Sequence, residues 1–186
     1  MRGMKKFSEI FYESTSGKMI WTLYGESMKE TFRGKMIDLE FLLTSPKHTD
    51  KYREEKWMAM RRLEWGYNIF NNSKPTNSGL CSKRCYDYIK DKKSNKLVKD
   101  HFYGVTESAN EVRREFEKSN FDITYMVNEW LPKNYHLFVT WHVTPEEHKG
   151  ENIKRAKHTL SEKDTFQHLV NVSEVVQKKT RNQLLK

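Results

Sequence analysis

The most restrictive stretch of this chain is Tyr135-His-Leu-Phe-Val-Thr-Trp-His-Val143, followed without a break by Thr144-Pro145-Glu146-Glu147. The first part alternates and is rich in aromatic and β-branched residues, which suits a pleated, half-buried surface. The second part reads as a helix start. It offers a hydroxyl for the N-cap, a proline whose missing N–H costs nothing in the first turn, and two acids at the positive end of the helix dipole. Residues 135–143 therefore predict a strand, and Thr144 opens a helix entered directly from it.

Upstream, Leu97-Val98 begins a short strand-like run that ends at Asp100-His101. The order around these residues is strand, insert, strand, helix. Ser108 to Lys118 predicts a helix within the insert, Phe121 to Trp130 continues in mixed fashion, and Pro132-Lys133-Asn134 is turn chemistry. Nearer the N-terminus, Met19–Tyr24 and Met36–Leu43 read as partly alternating strands, punctuated by Ser45-Pro46. Tyr52, Trp57, Met60, Leu63 and Glu64 are spaced for an amphipathic helix over 49–67 that starts at Thr49-Asp50. Asn71 to Gly79 is the best loop and the natural internal boundary. Ser161-Glu-Lys-Asp164 is a capping-box-like start for a C-terminal helix to about Gln183. Trp57, Trp65, Trp130 and Trp141 are expected in the core. His136 and His142 would share one strand face, in the core or facing DNA, with the structural reading favoured, and Cys81 and Cys85 are read as structural or inert.

Composition narrows the function classes. The chain has 186 residues with 34 Lys+Arg against 25 Asp+Glu, a net charge of +9. Basic excess speaks to partners, and nucleic acid leads because neutralising phosphates releases condensed counterions. Seven basic residues (Lys83, Arg84, Lys90, Lys92, Lys93, Lys96 and Lys99) crowd between Cys81 and Lys99 against two acids, Asp87 and Asp91. A second basic run, from Lys149 through Lys154 and Arg155 to Lys186, holds nine cations and four acids. The two runs flank the chemically suggestive residues and read as a phosphate-binding rim. No run approaches the roughly 20 apolar residues of a membrane span, so no membrane partner is expected. The opening Met1-Arg-Gly-Met-Lys-Lys-Phe7 has no apolar run behind it, so a cytoplasmic protein without a secretory signal is expected. Two cysteines cannot make a four-cysteine zinc site.

Four polar residues stand out by placement: Asp100 and His101 at a strand end, and His148 and Asn152 in the helix after the second strand. Residues four apart on a helix share a face, so His148 and Asn152 can address one ion together, and Asp100 adds a hard anionic oxygen. This set suits a divalent cation with open positions. A cationic His148 would be disfavoured in a first helical turn, whereas a metal-bound neutral imidazole is not. His101, with an ordinary pKa of about 6.5, is suited to taking a proton from water near neutrality.

The segments Leu97-Val-Lys-Asp100-His101 and Val143-Thr-Pro-Glu-Glu-His148-Lys-Gly-Glu-Asn152 together resemble the HNH (ββα-metal) nuclease motif, including the helix approach of many phage HNH endonucleases of the homing or restriction sort. The resemblance covers roughly residues 96–155. It implies Asp100, His148 and Asn152 as metal ligands, with His101 as general base. The cofactor would be Mg2+ or Mn2+, and the reaction hydrolysis of a DNA phosphodiester that leaves a 5′-phosphate. Val139 stands where the family carries its middle Asn, and Asn134 and His142 are candidates for that bracing role. The stretch between the strands, about 35 residues, implies an insert.

The expected fold is α+β. A ββα-metal core over 80–158 carries a long insert between its two strands, an N-terminal α+β region of strands and helix over 1–75 contacts DNA, and a C-terminal helix spans 159–186. Lys83, Arg84, Lys90, Lys92, Lys93, Lys96, Lys99, Lys149, Lys154 and Arg155 would contact double-stranded DNA, a homodimer is an open option that the sequence does not decide, and a phage-encoded chain would work in the host cytoplasm. Two rival readings stand beside this one. One is a PD-(D/E)XK-type nuclease using Asp38 and Glu40 on one strand face. The other is a non-catalytic basic DNA-binding or regulatory protein.

Overall fold

A computed structural model describes residues 7–13, 15–70, 77–82, 85, 87 and 98–148. The protein is α+β and mostly helical, with one small sheet. Its described residues divide into two compact units. One takes residues up to Ile20, Asn77–Phe102 and the chain from Val139; the other takes Trp21–Thr76 and Tyr103–Phe138. The stretch between the two antiparallel strands is thus a folded part of the second unit.

The N-terminal region carries the largest correction. Helix α1 spans Phe7–Glu13 and helix α2 Thr15–Thr44, so the strands expected at 19–24 and 36–43 are helical. Among the described residues up to Phe70 there is no strand. The physical reason lies in the wider spacing. Met28, Phe32, Met36, Leu39 and Leu43 recur at three and four residues and are all buried, while Arg33, Ile37 and Asp38 face outward. The short alternations lay across that stripe. Asp38 and Glu40 consequently sit two apart on a helix, where side chains diverge by more than half a turn, and the common strand face of the rival nuclease reading is lost.

In the second unit, helix α3 (Asp50–Met60) starts as expected at Thr49, whose side chain accepts the Tyr52 N–H at 3.2 Å. It stops short of the expected Tyr67, because Leu63–Tyr67 forms a π turn instead. The wider turn puts Trp65 and Gly66 in the interior. Helix α4 (Val105–Lys118) is followed by the short α5 (Ile123–Tyr125), a second π turn (Met126–Trp130), α6 (Leu131–Asn134) and a 3-10 turn (Tyr135–Phe138). Pro132 therefore lies in the first turn of a helix, where it loses no hydrogen bond, and not in a loop. Phe32 anchors this core, with ring centroids 6.3 Å from Trp65, 6.1 Å from Trp130 and 6.5 Å from Phe138. Arg113 on α4 binds Glu54 of α3 and Glu117 of its own helix, and lies over the Trp57 ring at 5.5 Å. This guanidinium holds the Glu54 carboxyl below its ordinary range. Trp57, Trp65, Trp130 and Trp141 are all buried, as expected.

The sheet belongs to the first unit. Strand β3 (Thr140–Val143) lies in the middle, parallel to β1 (Asn77–Cys81) and antiparallel to β2 (Val98–His101). The expected strand over 135–143 is therefore only half formed. Tyr135–Phe138 is a 3-10 turn in the second unit, so His136 and His142 share no strand face. Residues 77–79, taken as loop, lie in β1. A short helix, α7 (Pro145–His148), follows β3 directly. The C-terminal helix expected over 159–186 lies outside the described residues. Among the described residues no helix is long and apolar enough to cross a membrane.

Candidate active site

The site begins with the pairing of β2 and β3. Val98, Lys99, Asp100 and His101 face Val143, His142, Trp141 and Thr140 in turn, without a bulge. Because strand side chains alternate, Asp100 and Trp141 fall on one side of the pair, and Lys99, His142 and His101 on the other. Burial follows this only in part: Asp100 and Trp141 are buried, Lys99 is exposed and His101 and His142 are intermediate, but Thr140 on the Lys99 side is buried too.

Helix α7 brings its histidine to the Asp100 side. Pro145 supplies a pre-set first-turn φ, and the His148 N–H closes that turn on the Thr144 carbonyl at 3.0 Å. As a result His148 Nδ1 lies 3.7 Å from Asp100 Oδ1. The imidazole is half exposed and the carboxylate nearly enclosed, so the pair opens to solvent on the histidine side. Asp100 Oδ1 also accepts the His101 backbone N–H at 2.9 Å, which fixes the carboxylate at the strand end. Phe102 packs edge-on against Trp141, with centroids 4.9 Å apart, and lines the same side with apolar surface.

Whether these groups suit a divalent cation is decided by donor chemistry and spacing. Two donors on one ion at about 2.1 Å each stand roughly 3 to 4 Å apart, and a carboxylate oxygen with an imidazole nitrogen is an ordinary pair for Mn, Zn or related ions. Asp100 and His148 fit that requirement. Among the described residues no group of three or more His, Cys, Asp and Glu side chains gathers as a metal site. The third ligand that the resemblance implies, Asn152, lies outside the described residues. Lys83, Arg84, Lys90, Lys92, Lys93, Lys96, Lys149, Lys154 and Arg155 also lie outside them. Lys99 is described and exposed on β2.

Two features escaped the sequence. Val139 is buried, and its backbone carbonyl accepts the Phe102 N–H at 3.2 Å, tying the chain just beyond His101. Any residue can make that bond, so no sequence signal marks it. Asn134, a candidate for the same brace, lies in the second unit and donates to the Trp130 carbonyl at 2.9 Å. The second feature is the common side of Lys99, His101 and His142, which follows from strand register once β3 is known to begin at Thr140.

No known protein family, curated protein or solved structure matches this chain.

Proposed function

We propose that the protein is a metal-dependent DNA endonuclease of the HNH (ββα-metal) kind. The observation that supports this reading is the 3.7 Å approach of His148 to Asp100 in a strand–insert–strand–helix order. Asp100 and His148 would hold the divalent ion, with Asn152 as the third ligand. When bound, the ion supplies charge neutralisation at a phosphate oxygen and at the departing oxygen. His101 stands at the last position of β2, on the side of the strand pair away from Asp100, and the chain bends at Phe102 immediately after it. There it takes a proton from water, whose oxygen bonds to phosphorus as the sugar oxygen leaves. The net charge of +9 favours the duplex as partner.

Nicking of supercoiled plasmid, followed with Mg2+ or Mn2+ and again with EDTA, tests the proposal. Wild type is expected to nick only with metal. His101→Ala should lose about 10²-fold or more in rate while duplex binding survives. His148→Ala should raise the metal concentration needed for half-maximal nicking about tenfold or more. A pure, folded protein that binds duplex and never nicks with either metal is the non-catalytic DNA-binding protein instead.

A further inference from the structure

The outer face of α2 carries a pattern that the core of the second unit does not use. Leu23, Ser27, Glu30, Gly34, Ile37 and Phe41 follow one another at steps of four and three residues, and all six are exposed. That alternation of steps is the seam of a coiled coil, and it lies on the side of the helix away from Met28, Phe32, Met36 and Leu39. Its large members are open to solvent: Leu23 is 62% exposed, Ile37 52% and Phe41 63%, the last even though its ring meets His48 edge-on. A Cβ built on Gly34 would meet nothing within 4 Å, so the middle of the seam is bare. Among the described residues Glu30, in the seam, and Arg33, beside it, enter no ion pair, whereas the neighbouring Glu26 is held by Lys29 at 2.8 Å.

We propose that two copies of this chain pair through α2, antiparallel, about a two-fold axis at the middle of the seam. In that arrangement Leu23 meets Phe41, Ser27 meets Ile37 and Glu30 meets Gly34 of the second copy, each contact being made twice. Large side chains cover large ones at the ends, and the small residues nearer the centre let the backbones approach. Arg33 of each copy then lies next to Glu30 of the other, which joins the two charges left without an ion pair inside one copy. A parallel pairing would instead set Glu30 against Glu30 within the seam. From Leu23 to Phe41 the seam runs roughly 27 Å at 1.5 Å per residue. One helix pair of that length lies at the small end of specific interfaces, which sets the expected dissociation constant in the micromolar range. Pairing of this kind needs neither the ligand pair at Asp100 and His148 nor DNA.

The test is sedimentation equilibrium of the full-length protein, without DNA or metal, from about 1 to 100 µM, a range that brackets a micromolar dissociation constant. Wild type should pass from one chain mass to two across it. Phe41→Asp should raise the dissociation constant about 10²-fold, because by symmetry each substitution removes two contacts. Glu30→Arg and Arg33→Glu should each raise it about tenfold, since like charges then meet across the axis. Mixed in equal amounts, these two charge variants should pair about as tightly as wild type, because each supplies the charge the other lacks. All three positions are exposed, and melting curves identify folded variants.

A wild type that stays at one chain mass throughout overturns the pairing, and the apolar face then belongs to a different partner or to another segment of this chain. A dimer that the charge variants leave unchanged overturns it as well, by placing self-association elsewhere on the molecule. Rescue in the mixture supports the seam, since a variant that had merely lost its fold would not regain a partner. Plasmid nicking decides the nuclease reading separately from all of these outcomes.

Discussion

His136 shows how a single burial site sets a pH dependence. It is 8% exposed, its ring lies edge-on to Tyr103 at 5.5 Å, and burial pushes its pKa down to about 4 against an ordinary 6.5, the Lys133 backbone hydrogen bond only partly opposing this. The neutral form is the one that folds, so the unfolded chain takes up the proton first as pH falls. Stability from this group is complete above pH 6.5, is lost between 6.5 and about 4, and levels off below. At about 1.4 kcal/mol per pH unit, the loss is roughly 3 kcal/mol. Guanidinium unfolding from pH 7.5 to 4 should show it, and His136→Gln should flatten that part of the curve; equal pH dependence in both proteins would refute the assignment. At this scale the sequence was informative about chemistry. The sequence pointed to Asp100 and His148 by their places at a strand end and in a helix's first turn, and the structure brings the two to 3.7 Å. The Val139 carbonyl was not legible, since backbone groups carry no residue code.

The elements were harder to read. In α2 the stripe Met28, Phe32, Met36, Leu39, Leu43 runs for four turns, but the segments 19–24 and 36–43, six and eight residues long, alternate well enough to imitate strands. Length decides in favour of the helix, because a strand pattern would have to break within a few residues. The π turns were illegible, since an extra residue per turn is forced by packing, as where Trp65 and Trp130 both meet Phe32. Gly66 tests that packing. A Cβ there would lie 2.6 Å from Val105 Cβ and 2.9 Å from its carbonyl oxygen, whereas a Cβ at Gly34 of α2 meets nothing within 4 Å. Gly66→Ala should destabilise by about 1–3 kcal/mol through overpacking, and Gly34→Ala should stabilise by up to about 1 kcal/mol through helix propensity. Denaturant midpoints of the two variants check both signs, and a stabilised Gly66→Ala would remove the close approach at the π turn.

For the molecule as a whole, neither compact unit is continuous in sequence. Trp21–Thr76 contributes Phe32 and Trp65, while Tyr103–Phe138 contributes Trp130 and Phe138 to the same cluster. A fragment ending at residue 76 therefore keeps half of one core and exposes the rest. It should show no cooperative melting transition and should bind a hydrophobic dye; a fragment with a sharp melt of its own would contradict the shared core. The α+β class and the strand–insert–strand–helix order were legible, whereas a core assembled from distant segments leaves no local trace. The sheet carries one more consequence. The ladder between β2 and β3 is only four residue pairs long, and its two middle rungs hold Asp100 and Lys99 on opposite sides. A slip of one residue would turn the acid outward and bring Lys99 and His101 inward, parting Asp100 from His148 without breaking a covalent bond. So short a ladder is poorly equipped to hold its own alignment, and the Phe102–Val139 hydrogen bond adds one further tie just past its end.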